Sequence, residues 1–195
     1  MQTITKVTHE EYFDLLVKSD VKLEYHGGEI LAMAGAQPAH NIIAANLIGE
    51  LVHCLKRKGC IVFTSDQLIK IEECDRYTFP DLVIVCDRPA YEKSPQGLNA
   101  LENPEIIIEV LSDSTMDYDR SEKFDCYKTI PSFREYVLVS SKQKKVEVNK
   151  KLSDAEWLSH MYKNDDEKVV IGDCVILLED IYNKVELTGN EFPGF

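Results

Sequence analysis

The sequence predicts an α/β fold, a mixed central sheet flanked by helices in one domain over residues 1–195, and three features of the chain carry that prediction. Apolar runs of strand length, above all IIIEVL at 106–111, hold β-branched residues at nearly every position, the pattern of a strand buried on both faces. A long helical pattern with Pro at its start and Gly just past its end separates these runs from a hairpin signal. The succession IIIEVL, EKFDCY, REYVLV then calls for a parallel pair of strands with a helical crossover, while the flanking hairpins call for antiparallel neighbours. A length of 195 residues suffices for one hydrophobic core and demands no second.

In chain order, Thr8 and Glu11 have capping-box spacing, and Tyr12, Leu15 and Leu16 give the stripe of a short helix ending near Asp20. VKLEYHGGEILAMA is two alternating runs about Gly27-Gly28, a hairpin signal because both turn positions tolerate positive φ. Pro38 and Gly59 bound the longest helix, whose core stripe is Ile42, Ile43, Leu47, Leu51, Val52 and Leu55; Lys56, Arg57 and Lys58 suit its C-terminal end. CIVFT, QLIKIE and FPDLVIV follow as strands, separated by polar turns such as Glu73 to Arg76. The segment 87–103, rich in Pro, Gly, Ser and Asn, reads as a long loop that is either near a site or mobile. After Pro131 the pieces KKVEVNKK, EWLSHMY, KVVI and CVILLEDIY read as antiparallel strands and a closing turn.

Composition excludes several classes. No stretch approaches the roughly 18 consecutive apolar residues of a membrane span, and the N-terminus lacks an apolar segment after a basic start, so the expected location is cytoplasmic. The six cysteines form no CxxC pair and the five histidines no HxH or HxxxH pattern, which argues against a zinc ribbon and against a disulfide framework; the cysteines are expected to be reduced packing residues. A net charge of −12 opposes non-specific attachment to nucleic acid.

The chemistry centres on Glu109. A carboxylate inside an apolar strand costs several kcal/mol unless a cation, a metal or a proton accompanies it. Lys123 is the candidate partner, since Asp119, Lys123 and Tyr127 recur at i, i+4 and i+8 and share a helix face. Asp81 in FPDLVIV is likewise followed by apolar strand residues, so neighbouring strands bring two acids to one cleft. Two hard oxygen ligands with open positions suit Mg²⁺ or Mn²⁺, and a nearby lysine can position a water or steady developing negative charge, the needs of phosphodiester hydrolysis. A plainer account stands beside this one: Asp81 caps a turn, and Lys123 neutralises Glu109 as a structural ion pair.

These residues resemble the "putative restriction endonuclease" family of the PD-(D/E)XK nuclease superfamily. The resemblance covers most of the chain: the opening helix, EYHGGEILAM, a helix beginning near His40, FPDLVIV, EVLSDST with a following D-x-x-x-K, and REYVLV. It implies a restriction-endonuclease-like fold and a divalent-metal-dependent endonuclease acting on DNA and leaving a 5′ phosphate. Pro80-Asp81 matches the PD element, Glu109 the acid of the second motif, and Lys123 a catalytic lysine relocated to the next helix, because Leu111 stands where the superfamily places it. Glu24 matches a further acid that could join Asp81 and Glu109 on the metal, or else an exposed strand-end glutamate. His40 matches a position that contacts phosphate or orients a ligand, and Ser112 and Tyr127 match positions beside the site. A homodimer is expected, since two copies of one site most simply cut both strands of a duplex. The alternative is a binding or regulatory module of the same fold without turnover; basic residues Lys56, Arg57, Lys58, Lys144 and Lys145 along the cleft would favour the nuclease.

Overall fold

The computed structural model describes residues 6–33, 35–111 and 121–187. Helix α1 (His9–Leu16) begins where Thr8 predicts, with both arms of the capping box in place, and stops at Val17, ahead of Asp20. Strands β1 (Leu23–His26) and β2 (Glu29–Ala32) form the hairpin, turning through Gly27 and Gly28 at φ 56° and 101°. Helix α2 (Pro38–Leu55) buries Ile43, Leu47, Leu51 and Leu55; Ile42 is half-buried and Val52 faces solvent, so the core stripe is narrower than the sequence suggests.

The next strands are β3 (Ile61–Thr64), β4 (Ile69–Ile71), β5 (Arg76–Thr78) and β6 (Leu82–Val85). A 3-10 turn, Glu72–Cys74, ends with Asp75 in the left-handed region at φ 50° and leads into β5, so the polar stretch expected to be only a turn also starts a strand. The expected loop 87–103 contains a hairpin of β7 (Tyr91–Lys93) and β8 (Asn99–Leu101), turned at Gly97 with φ 84°. The rest comprises β9 (Ile106–Leu111), α3 (Glu122–Tyr127), β10 (Glu135–Ser140), β11 (Val146–Lys151), β12 (Trp157–Tyr162), β13 (Lys168–Ile171), β14 (Cys174–Leu177) and α4 (Leu178–Ile181).

Two mixed six-stranded sheets result, ordered β2-β1-β5-β4-β8-β7 and β12-β11-β10-β9-β6-β3, with β13 and β14 as a separate hairpin. The crossover reads as expected: β9 and β10 are parallel from Ile106↔Glu135 to Leu111↔Ser140, with α3 between them in sequence. The second sheet is covered on both sides. Ile106, Ile108 and Val110 face α2 and the C-terminal hairpin, while Ile107 and Leu111 join Cys126, Tyr127, Phe133 and Tyr136 on the other side. Helix α1 packs Tyr12 and Phe13 on Tyr25 and Tyr77 of the first sheet. Among the described residues no helix is long and apolar enough to cross a membrane.

The cysteines overturn the expectation of free thiols. All six are paired, as Cys54–Cys174, Cys60–Cys86 and Cys74–Cys126. The partners lie 26 to 120 residues apart in sequence, so tertiary proximity joins them and no spacing motif announces them.

Candidate active site

Strands β6 and β9 run antiparallel, with Leu82 opposite Ile108 and Val83 opposite Ile107. Continuing that register by one residue sets Asp81 across from Glu109, on the face of the sheet that α3 covers. Directly opposed residues of an antiparallel pair have Cβ atoms roughly 5 Å apart, so backbone geometry alone brings the two carboxylates together. The backbone also holds Asp81: the Val110 N–H donates to its Oδ2 at 2.7 Å, and His40 Nε2, at the start of α2, lies 3.1 Å from the same oxygen. Among the described residues both of these contacts fall on Oδ2.

Glu109 is 5% exposed. Lys123, on α3, points into the cleft, its Nζ 2.8 Å from Glu109 Oε1. Tyr127, one turn further along α3, donates its hydroxyl to the same oxygen at 2.9 Å, and Thr78 Oγ1 lies 3.5 Å from that hydroxyl. Burial pushes the Tyr127 phenol well above its ordinary value of 10.0, and the charges of Glu109 and Glu24 push it further, so it stays protonated and can only donate to Glu109. Lys123 and Tyr127 thus occupy one helix face as their spacing predicts. Asp119 and Ser112 lie outside the described residues.

Glu24 is buried, not an exposed strand-end residue: it is 6% exposed. The Phe79 N–H, two residues before Asp81, donates to its Oε1 at 2.9 Å, and His26 Nε2 stands 3.4 Å from its Oε2. Burial by itself would raise this carboxyl. The His26 hydrogen bond, the Lys123 charge and the Phe79 N–H together outweigh burial and hold it below its ordinary value of 4.5. Glu24 therefore stays ionised within the field of Lys123 and brings the first sheet to the same cleft.

Two residues at the site were not anticipated from the sequence. His26 sits two positions after Glu24 on β1, and the period of a strand places i and i+2 on one face, a signal the sequence does contain. Thr78, which meets Tyr127, has no comparable signature. The basic residues divide. Lys56, Arg57 and Lys58 lie just beyond the far end of α2, which runs about 22 Å from His40 to Leu55, and Lys58 donates to the Asp173 carbonyl at 2.8 Å. The turn after β10 is instead at the acid end of the sheet, with Ser141 Oγ on the Leu111 carbonyl at 2.7 Å; Lys144 there pairs with Asp165 at 2.7 Å.

Among the described residues no group of three or more His, Cys, Asp and Glu side chains is assembled to hold a metal. The donors nonetheless fit a hard cation. Mg²⁺ commonly takes only one or two protein carboxylates and completes its shell with water and phosphate oxygens, and Asp81 and Glu109 provide such a pair.

Comparison with known proteins bears on the identity of this cleft. The Uma2 family model, described as "Putative restriction endonuclease", matches residues 9–178. An uncharacterized protein of Synechocystis, sll1609, is 34% identical over 155 residues, covering 79% of this chain and 86% of the relative. A second, slr1290, is 35% identical over 161 residues, 83% of each chain. The crystal structure of a putative nuclease belonging to DUF820 from Anabaena variabilis superposes with a TM-score of 0.70 at 17% identity, covering 90% of this chain and 97% of that one, so the two share a fold.

Proposed function

The chain belongs to the Uma2 family, and from that membership we propose that it is a divalent-metal-dependent endonuclease that hydrolyses phosphodiester bonds in DNA. The observation that carries the reading is the position of Lys123: supplied by α3, buried, and 2.8 Å from Glu109 in the cleft that Asp81 also lines. Asp81 and Glu109 would hold Mg²⁺ or Mn²⁺, with Glu24 as an auxiliary acid. When bound, the cation would supply an activated water and neutralise charge on the phosphate. The chain's own groups do the rest. The Lys123 ammonium is placed to donate to a phosphate oxygen or to orient the attacking water, and to steady the negative charge that develops. Tyr127 and Thr78 fix the rotamer of Glu109, and His40 with the Val110 N–H fixes Asp81, so neither carboxylate must be ordered at the moment of reaction. A homodimer would present one such cleft to each strand of a duplex, and a DNA substrate places the chain in the cytoplasm.

One observation favours a second reading, a module of this fold that binds without turnover: Lys123 already neutralises Glu109 by direct contact, in a chain of net charge −12 whose basic cluster of Lys56, Arg57 and Lys58 lies beyond the far end of α2. Cleavage of supercoiled plasmid with Mg²⁺ or Mn²⁺ separates the two. The nuclease reading expects wild-type cleavage abolished by chelation and reduced roughly a hundredfold or more in each of Asp81→Ala, Glu109→Ala and Lys123→Ala. A folded wild type that neither cleaves nor binds metal by titration calorimetry would transfer the assignment to the binding module.

A further inference from the structure

We propose that Cys74 and Cys126 are a thiol–disulfide exchange site whose co-substrate is a dithiol, and that the oxidised pair clamps the helix bearing Lys123 and Tyr127 in its working position. The inference rests on the reading of Lys123 and Tyr127 as site residues. Of the three disulfides, Cys54–Cys174 joins α2 to β14, and Cys60–Cys86 flanks the β3–β6 pair. Neither adjoins a residue of the cleft in sequence. Cys126 lies three residues after Lys123 and immediately before Tyr127, and its partner Cys74 closes the 3-10 turn of the first sheet.

The clamped element has little stability of its own. Helix α3 is six residues long, less than two turns, and a helix of that length does not persist in water without tertiary support. Among the described residues its supports include the Phe124 ring stacked on Tyr136 at 4.8 Å, the buried Tyr127, the contacts of Lys123 and Tyr127 with Glu109, and three ties to one stretch of the first sheet. One tie is ionic, Arg76 to Glu122; one is the hydroxyl contact of Thr78 with Tyr127 at 3.5 Å; the third is the covalent bond from Cys74 to Cys126. Opening the covalent tie leaves, of these three, the ionic one at the first residue of the helix and the long Thr78 contact at the end that carries Tyr127.

The two residues differ in exposure, Cys126 being 6% exposed while Cys74 is only half-buried. Exchange therefore begins at Cys74. A thiolate of the dithiol attacks Cys74 Sγ, the Cys74–Cys126 bond breaks, and its electron pair stays on Cys126 Sγ, which takes a proton. The second thiolate of the dithiol then attacks its own sulfur in the mixed disulfide and expels Cys74, which is protonated in turn. Two electrons and two protons pass to the protein, and the dithiol leaves as its disulfide. In a reducing compartment, protein disulfides are characteristically transient and redox-sensing, which suits a pair placed at a site and not merely under a core.

Hydrogen exchange of the wild-type chain, air-oxidised and after dithiothreitol, tests the proposal, with alkylation and mass mapping to report which bonds have opened. Amides of residues 122–127 should exchange about tenfold faster or more once Cys74 and Cys126 are open. The double variant Cys74→Ser, Cys126→Ser should show the fast exchange without reductant and no response to it, while Cys60→Ser, Cys86→Ser keeps the response. Where plasmid is cleaved, reduction should lower kcat and leave KM unchanged. Unchanged exchange at 122–127 after the bond opens, or free thiols at 74 and 126 in the air-oxidised chain, would overturn it. The exchange response needs no cleavage, so its presence in a chain that neither cuts nor binds metal would remove the nuclease reading and keep the clamp.

Discussion

At Glu24 burial and partners pull in opposite directions, and the partners prevail: His26, Lys123 and the Phe79 N–H hold the carboxyl below 4.5 in spite of its burial. A carboxyl with a depressed value in the folded chain contributes stability that is complete above its unfolded value and is lost as pH falls through the folded one. Glu24→Gln should therefore flatten the acid limb of the stability profile, with the two proteins converging at the lowest pH. Urea denaturation across about pH 3–7 measures this; parallel profiles for the two proteins would show that Glu24 is not the group concerned. The same residue marks a limit of sequence reading. Beside Gly27-Gly28 it has the look of an exposed turn-flanking acid, whereas its carboxylate accepts from the backbone N–H of Phe79, more than fifty residues away. The Glu109–Lys123 contact was legible because its cause is local: an acid in an apolar strand needs a cation, and the helix that follows presents one on the same face as Tyr127.

Elements show the same division. The α1 cap and the β1–β2 turn are written in consecutive residues, and they form where expected. Strands β5, β7 and β8, each three residues long, exist because neighbours pair with them; Arg76 and Tyr77 gain β1 on one side and β4 on the other, and no local pattern announces that. The turn between β13 and β14 illustrates an element held by one position. Gly172 has φ 54°, its N–H donates to the buried Glu135 at 3.0 Å, and a Cβ there would approach Ile106 Cδ1 to 2.8 Å. Gly172→Ala should cost about 1–2 kcal/mol, from left-handed strain together with displacement of the Ile106 methyl. A lower urea midpoint with an unchanged slope is the expected signature, and an unaltered midpoint would mean that the hairpin relaxes freely.

For the molecule as a whole, the α/β class and the parallel crossover were legible, while the division into two sheets and the three disulfides were not, because both depend on residues far apart in sequence. Homodimerisation belongs to this scale too. Light scattering at micromolar concentration should return twice the 22.3 kDa chain mass, and a value of one chain would require each molecule to cut duplex strands in separate encounters. The pairing of β6 with β9 has one more consequence. Glu109 lies with Ile107 on the α3 face, while Ile108 and Val110 point to α2. Deleting a single residue from β9 upstream of Glu109, with the pairing of the remaining strand otherwise kept, would turn the carboxylate toward Ile43 and Leu47 and leave Lys123 opposite an aliphatic side chain. Among descendants of this sequence, β9 is therefore free to exchange one apolar residue for another but is closed to insertions and deletions, so divergence in length should collect outside the strand.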